Sequence, residues 1–77
     1  MEQHQPRNAV GTTIRKMRAS KGLTQAMLVA RCNVAGLDIS RGTLAKIEAQ
    51  IRGVSDIELF IIAKIFKVKI EDLFSKI

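Results

Sequence analysis

Three times in 77 residues an apolar residue is followed at once by a hydroxyl residue and, five positions on, by a leucine. The sets are Leu23-Thr24 with Leu28, Ile39-Ser40 with Leu44, and Val54-Ser55 with Leu59. A Ser or Thr in that place accepts from one of the backbone N–H groups that a helix start leaves without an internal partner, and the apolar pair closes over the first turn. At the third start Glu58 completes a Ser-x-x-Glu capping box. A chain punctuated in this way is a set of short helices, and its fold class is all-α.

The apolar spacing gives the extents. Val10, Ile14 and Met17 mark helix one over about residues 8 to 20, with Asn8 as its cap and Gly22 as its stop. Helix two runs from the Thr24 cap to about Asn33. Helix three covers about 41 to 50, burying Leu44, Ile47 and Ile51 and leaving Arg41, Gly42, Ala45, Lys46 and Ala49 toward solvent. Helix four, about 56 to 66, is apolar nearly all round and is expected to be central. A fifth helix, about 70 to 76, turns Ile70, Leu73, Phe74 and Ile77 to the core, with Glu71 and Asp72 favoured in its first turn by the helix dipole. Residues 1 to 7 are expected to be a flexible tail and residues 8 to 77 a single domain. Val34, Leu37 and Ile39 are expected to cover the core in the turn between helices two and three, with Gly36 supplying a bend.

Charge narrows the partner. The chain carries a formal charge of +6 with a pI near 10.1. Residues 1 to 54 hold nine basic and three acidic side chains, residues 55 to 77 four of each, so the excess belongs to the first three helices. Such asymmetry is the footprint expected for a polyanion, although a merely solvated basic surface has the same composition.

Several chemistries are excluded. His4 is the only histidine and Cys32 the only cysteine, which removes His-based and Cys-based metal sites, an internal disulfide, a Ser-His-Asp triad and a Cys-His pair within one chain. An enzyme, a cofactor and a small-molecule ligand are therefore not expected, and no phosphate-binding glycine loop is present. Trp and Tyr are absent, and Phe60, Phe66 and Phe74 fall on expected core faces, so no stacking platform for single strands remains. The polar stretch Met1 to Asn8 is no signal peptide and no apolar run is long enough to span a bilayer, so the expected location is cytoplasmic, on the nucleoid.

The order Arg18, Leu23-Thr24-Gln25, Leu28, Ser40, Thr43-Leu44, Ile47-Glu48, Ala63 and Leu73 resembles the phage repressor and Cro-like regulators of the Xre family over residues 8 to 77. The resemblance implies a five-helix lambda-repressor-like domain whose second and third helices form a helix-turn-helix, with the third in the DNA major groove. It implies a phosphate contact from Thr24 and Gln25 at the start of helix two, where a plain cap is the other role. It implies DNA contact from Ser40, Arg41, Gly42, Thr43 and Lys46, with Arg41 suited to the O6 and N7 acceptors of guanine. Gly42 in a first turn reads either as close backbone approach or as tolerance near a helix end. Arg52 matches a loop that touches the DNA backbone and reads equally well as a solvated arginine. Arg18 and Glu48 are implied to pair as a structural salt bridge between helices one and three.

Two departures stand out. Asn33 to Ile39 makes a turn of seven residues where the family has three or four, which is expected to alter the tilt of the third helix. Gln50 stands where a glycine is common, which is expected to lengthen helix three by about a turn. The function expected is a sequence-specific duplex-DNA-binding transcriptional regulator, a repressor acting as a homodimer. The competing class is a protein-interaction module that keeps the fold, as a phage or toxin-antitoxin partner. Peripheral membrane binding is a weaker third, since helix four lacks a basic face.

Overall fold

The computed structural model describes residues 5–74. Four α-helices follow one another, α1 Gly11–Ser20, α2 Gln25–Val34, α3 Arg41–Glu48 and α4 Asp56–Phe66, and a 3₁₀ helix, Ile70–Phe74, closes the described chain. No strand occurs among the described residues. The fifth helix is thus one tight 3₁₀ element. Residues 75 and 76 of its expected span, the core role given to Ile77, and Met1 and His4 lie outside the described residues.

The three hydroxyl caps form as the pattern dictates. The side chains of Thr24, Ser40 and Ser55 accept from the N–H groups of Met27, Thr43 and Glu58, and Glu58 reaches back to the Ser55 N–H at 2.9 Å. Leu23, Leu28, Ile39 and Leu44 are buried, while Val54 and Leu59 pack half-buried on the same core. That core also takes in Val10, Ile14, Cys32, Ile47, Ile62, Ala63, Phe66 and Leu73. It lies where α3 packs on α1 and α2, α2 on α4, and the 3₁₀ helix on α4 and α1.

Helix α1 starts later than its apolar spacing predicts. Asn8 caps from outside the helix, its Oδ1 accepting from the N–H of Val10 at 3.0 Å and of Gly11 at 2.6 Å. Its Nδ2 donates to the carbonyls of Ile47 and Arg52, so one side chain joins the start of α1 to the end of α3. Arg7, in the expected tail, donates its N–H to Gln50 O at 2.8 Å. Gly11 is packed so closely on α3 that a Cβ there would collide with the Ile47 carbonyl.

The expectation of a longer third helix is overturned at Gln50. This residue takes the left-handed conformation, φ +63°, that glycine usually supplies, and α3 ends at Glu48. The Gln50 side chain donates from Nε2 to Asn8 O at 3.0 Å. Because the chain turns away there, Ile51 is half-exposed instead of buried. The turn after α2 follows the same logic: Gly36, φ +96°, ends the helix, with Leu37 N–H bonded to Cys32 O and Asn33 Nδ2 bonded to the carbonyls of Leu37 and Ile39. Leu37 and Ile39 fold onto the core, but Val34, at the outer end of α2, is 90% exposed and covers nothing.

Helix α4 is not central. Its buried side is Glu58, Ile62, Ala63 and Phe66, while Ile57 and Phe60 face out. Ile70 and Phe74 are likewise exposed, and of the last element's expected core residues within the described chain Leu73 alone is buried. Lys67 ends α4 in a left-handed conformation, φ +61°. Since that region disfavours a Cβ, Lys67→Gly is expected to raise stability by about 0.5 kcal/mol after glycine's extra chain entropy is counted, read as a higher urea midpoint at unchanged m.

Candidate nucleic-acid interface

Helices α2 and α3 present their first turns side by side because Leu23 with Leu28 and Ile39 with Leu44 hold both starts to the core. Beneath them Glu48, 5% exposed, gathers three elements. Its Oε2 accepts from Arg18 Nε at 2.7 Å and its Oε1 from Arg18 Nη2 and Gln25 Nε2, both at 3.0 Å. Arg18 Nη1 also donates to Leu23 O at 2.8 Å. The expected Arg18–Glu48 pair is therefore a two-bond fork fastening α1, the start of α2 and the end of α3, and hydrogen bonding to Glu48 raises the Arg18 guanidinium above its ordinary pKa.

Gln25 has a part in this that its position at the start of a helix does not reveal. Its side-chain amide nitrogen is committed inward to Glu48, while its backbone N–H, in the first turn of α2, has no acceptor within the helix. Thr24 Oγ1 is taken by the cap bond from Met27 N–H at 3.1 Å.

On the outer side of α3, Arg41, Gly42 and Lys46 are exposed. Ser40 Oγ accepts from Thr43 N–H and donates to Thr43 Oγ1, each at 3.1 Å, so the two hydroxyls are held together at the helix start. A Cβ built on Gly42 would meet only Ser40 Oγ, at an ordinary 3.7 Å, and the fold itself does not require glycine there. Arg41 lines a shallow groove with Arg18, Thr24, Gln25 and Ala26. Next to it, exposed Arg15 lines a second depression with Gln25, Ala45, Glu48 and Ala49. Sequence reasoning passed over Arg15; its signal was its place three residues before Arg18, on the same side of α1.

Arg52 lines neither of these depressions. Its Nη1 and Nη2 bond the two Glu58 oxygens at 3.1 and 3.0 Å, and Nη1 also donates to Gly53 O. Its strongest engagement is with the capping carboxylate of α4, so it is not a freely solvated arginine. Hydrogen bonding from Arg52 holds the Glu58 carboxyl below its ordinary pKa.

Among the described residues no group of His, Cys, Asp and Glu side chains is placed to hold a metal, and no helix is long and apolar enough to cross a membrane. Curated protein sequences return no significant match. Two solved structures do. The restriction-modification controller protein C.AhdI from Aeromonas hydrophila is 27% identical, with TM-score 0.73 over 86% of this chain and 92% of its own. The clp gene regulator ClgR from C. glutamicum is 25% identical, with TM-score 0.75 over 92% of this chain and 86% of its own. Residues 14–73 match the model of the helix-turn-helix family. With the capped starts of α2 and α3 set side by side over the Arg18–Glu48 fork, the chain belongs to the Xre-like helix-turn-helix family.

Proposed function

We propose that the protein is a sequence-specific, duplex-DNA-binding transcriptional regulator, a repressor that lays α3 in the major groove. The observation that carries this is the charge of the presented surface. Helices α1, α2 and α3 contain a single acid, Glu48, which is buried and paired, whereas Arg15 beside the start of α2, Arg41 at the start of α3 and Lys46 in its last turn are exposed. A surface of this kind attracts phosphate over its whole extent and offers an Arg fork to a base edge at one point. Of the two solved neighbours one is named a restriction-modification controller protein and the other a gene regulator.

On this reading Arg41 reads a base, with Ser40, Thr43 and Lys46 against bases or phosphates beside it. Gly42 lets the backbone come close, and Thr24 and the Gln25 N–H hold a phosphate at the start of α2. The role of Arg52 is to steady the α3–α4 loop through Glu58. The protein works in the cytoplasm, on nucleoid DNA, as a homodimer on half-sites about 34 to 36 Å apart.

Selection from random duplex DNA at about physiological salt tests this, because nonspecific phosphate binding is weak there. Enrichment of a two-fold symmetric site is expected. Its absence overturns the reading in favour of a protein-interaction module. With the selected site in hand, Arg41→Gln is expected to lower specific affinity about tenfold and flatten the preference at one base pair. Arg15→Gln is expected to leave base preferences alone and to reduce the slope of log K against log salt by about 0.9, one phosphate contact's worth.

A further inference from the structure

The capped helix starts differ in what reaches back to the cap residue's own N–H. At α4 it is a carboxylate, Glu58 Oε1 on Ser55 N–H at 2.9 Å. At α2 the same place, three residues after the cap, is held by Met27, whose Sδ accepts from Thr24 N–H at 3.5 Å. A thioether sulfur is a weak acceptor, whereas a Glu or Gln oxygen completes such a box in full. Met27 is 44% exposed, while Met17 is half-buried on the core and Cys32 is enclosed. An oxidant in solution therefore reaches the Met27 sulfur before either of these.

With a peroxide, ROOH, as the co-reactant, the step balances. A lone pair of Met27 Sδ attacks the terminal oxygen, the O–O bond breaks as an S–O bond forms, and the proton of that oxygen passes to the departing one, which leaves as ROH. Sulfur is oxidised by two electrons and the peroxide reduced by two, giving the sulfoxide. The new oxygen is a far stronger acceptor than the sulfur it sits on, and the donor already turned toward that sulfur is Thr24 N–H. Thr24, Gln25 and Ala26 share their groove with Arg41, so the oxygen arrives beside the surface that carries the exposed arginines.

We propose that Met27 is a site of oxidation by peroxides, at which the sulfoxide completes the capping box of α2 and weakens the hold of that helix start on DNA. The effect on DNA rests on the reading above, in which Thr24 and the Gln25 N–H hold a phosphate there. The sulfoxide oxygen brings partial negative charge to the same helix end and keeps Thr24 N–H for itself, so the helix is held better and the phosphate worse. Oxidation of a core methionine loosens a fold; at Met27 the sign is reversed.

Hydrogen peroxide on the folded protein is the probe, read by peptide mass mapping, thermal unfolding and binding to the selected duplex. Met27 is expected to gain one oxygen at least about five times faster than Met17. The oxidised protein is expected to unfold about 2 to 4 °C higher and to bind the duplex about fivefold more weakly, and treatment with a methionine sulfoxide reductase to reverse both. Met27→Leu, which keeps Met1, Met17 and Cys32, is expected to bind equally before and after peroxide. Met27→Gln, whose amide oxygen can reach Thr24 N–H, is expected to reproduce the higher midpoint and the weaker binding without peroxide. Equal oxidation of Met17 and Met27, or a lower midpoint after oxidation, overturns the site. Unchanged affinity for a duplex that the untreated protein selects overturns its effect on DNA. If no duplex is selected at all, the DNA reading falls by itself, and the mass map and the midpoint still decide the site.

Discussion

Glu48→Ala is expected to lower the unfolding midpoint by at least about 12 °C, because removing one member of a buried charge pair costs about 3 to 5 kcal/mol and each kcal/mol shifts a domain of this size by about 4 °C or more. The large value follows from what the carboxylate holds. Without it Arg18 Nε and Nη2 and Gln25 Nε2 lose their acceptor at the junction of α1, α2 and α3. Most of that loss is the penalty on the stranded cation and not the net strength of the pair. The paired replacement Arg18→Met with Glu48→Leu is therefore expected to recover most of the midpoint that Glu48→Ala loses. Thermal unfolding followed by circular dichroism reads both; a Glu48→Ala midpoint within a couple of degrees of the original would remove the fork from its structural role.

Gly11→Ala is expected to destabilise by about 1 to 3 kcal/mol, the range for forcing extra atoms into a packed site. Helix propensity alone points the other way, since alanine is better than glycine inside a helix by about 1 kcal/mol. The sign reverses because the atom that a Cβ would strike is a backbone carbonyl, that of Ile47, which has no rotamer by which to move aside. Relief would require separating α1 from α3, and that movement would pull on Asn8, which is bonded to both Gly11 N–H and Ile47 O. Urea unfolding distinguishes the two outcomes: a higher midpoint for Gly11→Ala would show that α1 and α3 leave room for a methyl group between them.

The helix starts were legible because a cap is a local device, decided by residues within one turn of one another, as at Thr24, Ser40 and Ser55. The buried faces of α1 and α3 followed from periodicity for the same reason. Helix α4 did not, because a helix with apolar residues on every side carries no phase by which to tell covered from open, and Phe60 was assigned inward on composition alone. The end of α3 escaped because a left-handed residue was sought at a glycine while Gln50 adopts that conformation, its side chain tied to Asn8. The candidate site was legible along α3 and hidden wherever a contact crosses the fold. Glu58 was already occupied by its capping box, so nothing local marked it as the partner of Arg52. Gln25 gave no sign that its amide turns inward to a carboxylate 23 positions away in sequence.

The burial of Cys32 gives the domain a reporter of its own opening. The side chain is fully enclosed between α2 and its neighbours, and burial, with the Glu58 charge adding to it, pushes the thiol pKa up. Both the lack of access and the scarcity of thiolate protect the sulfur for as long as the helices stay together. A thiol reagent added to the native protein therefore samples excursions in which α2 leaves the core, and its rate of capture under slow labelling follows the equilibrium share of opened molecules.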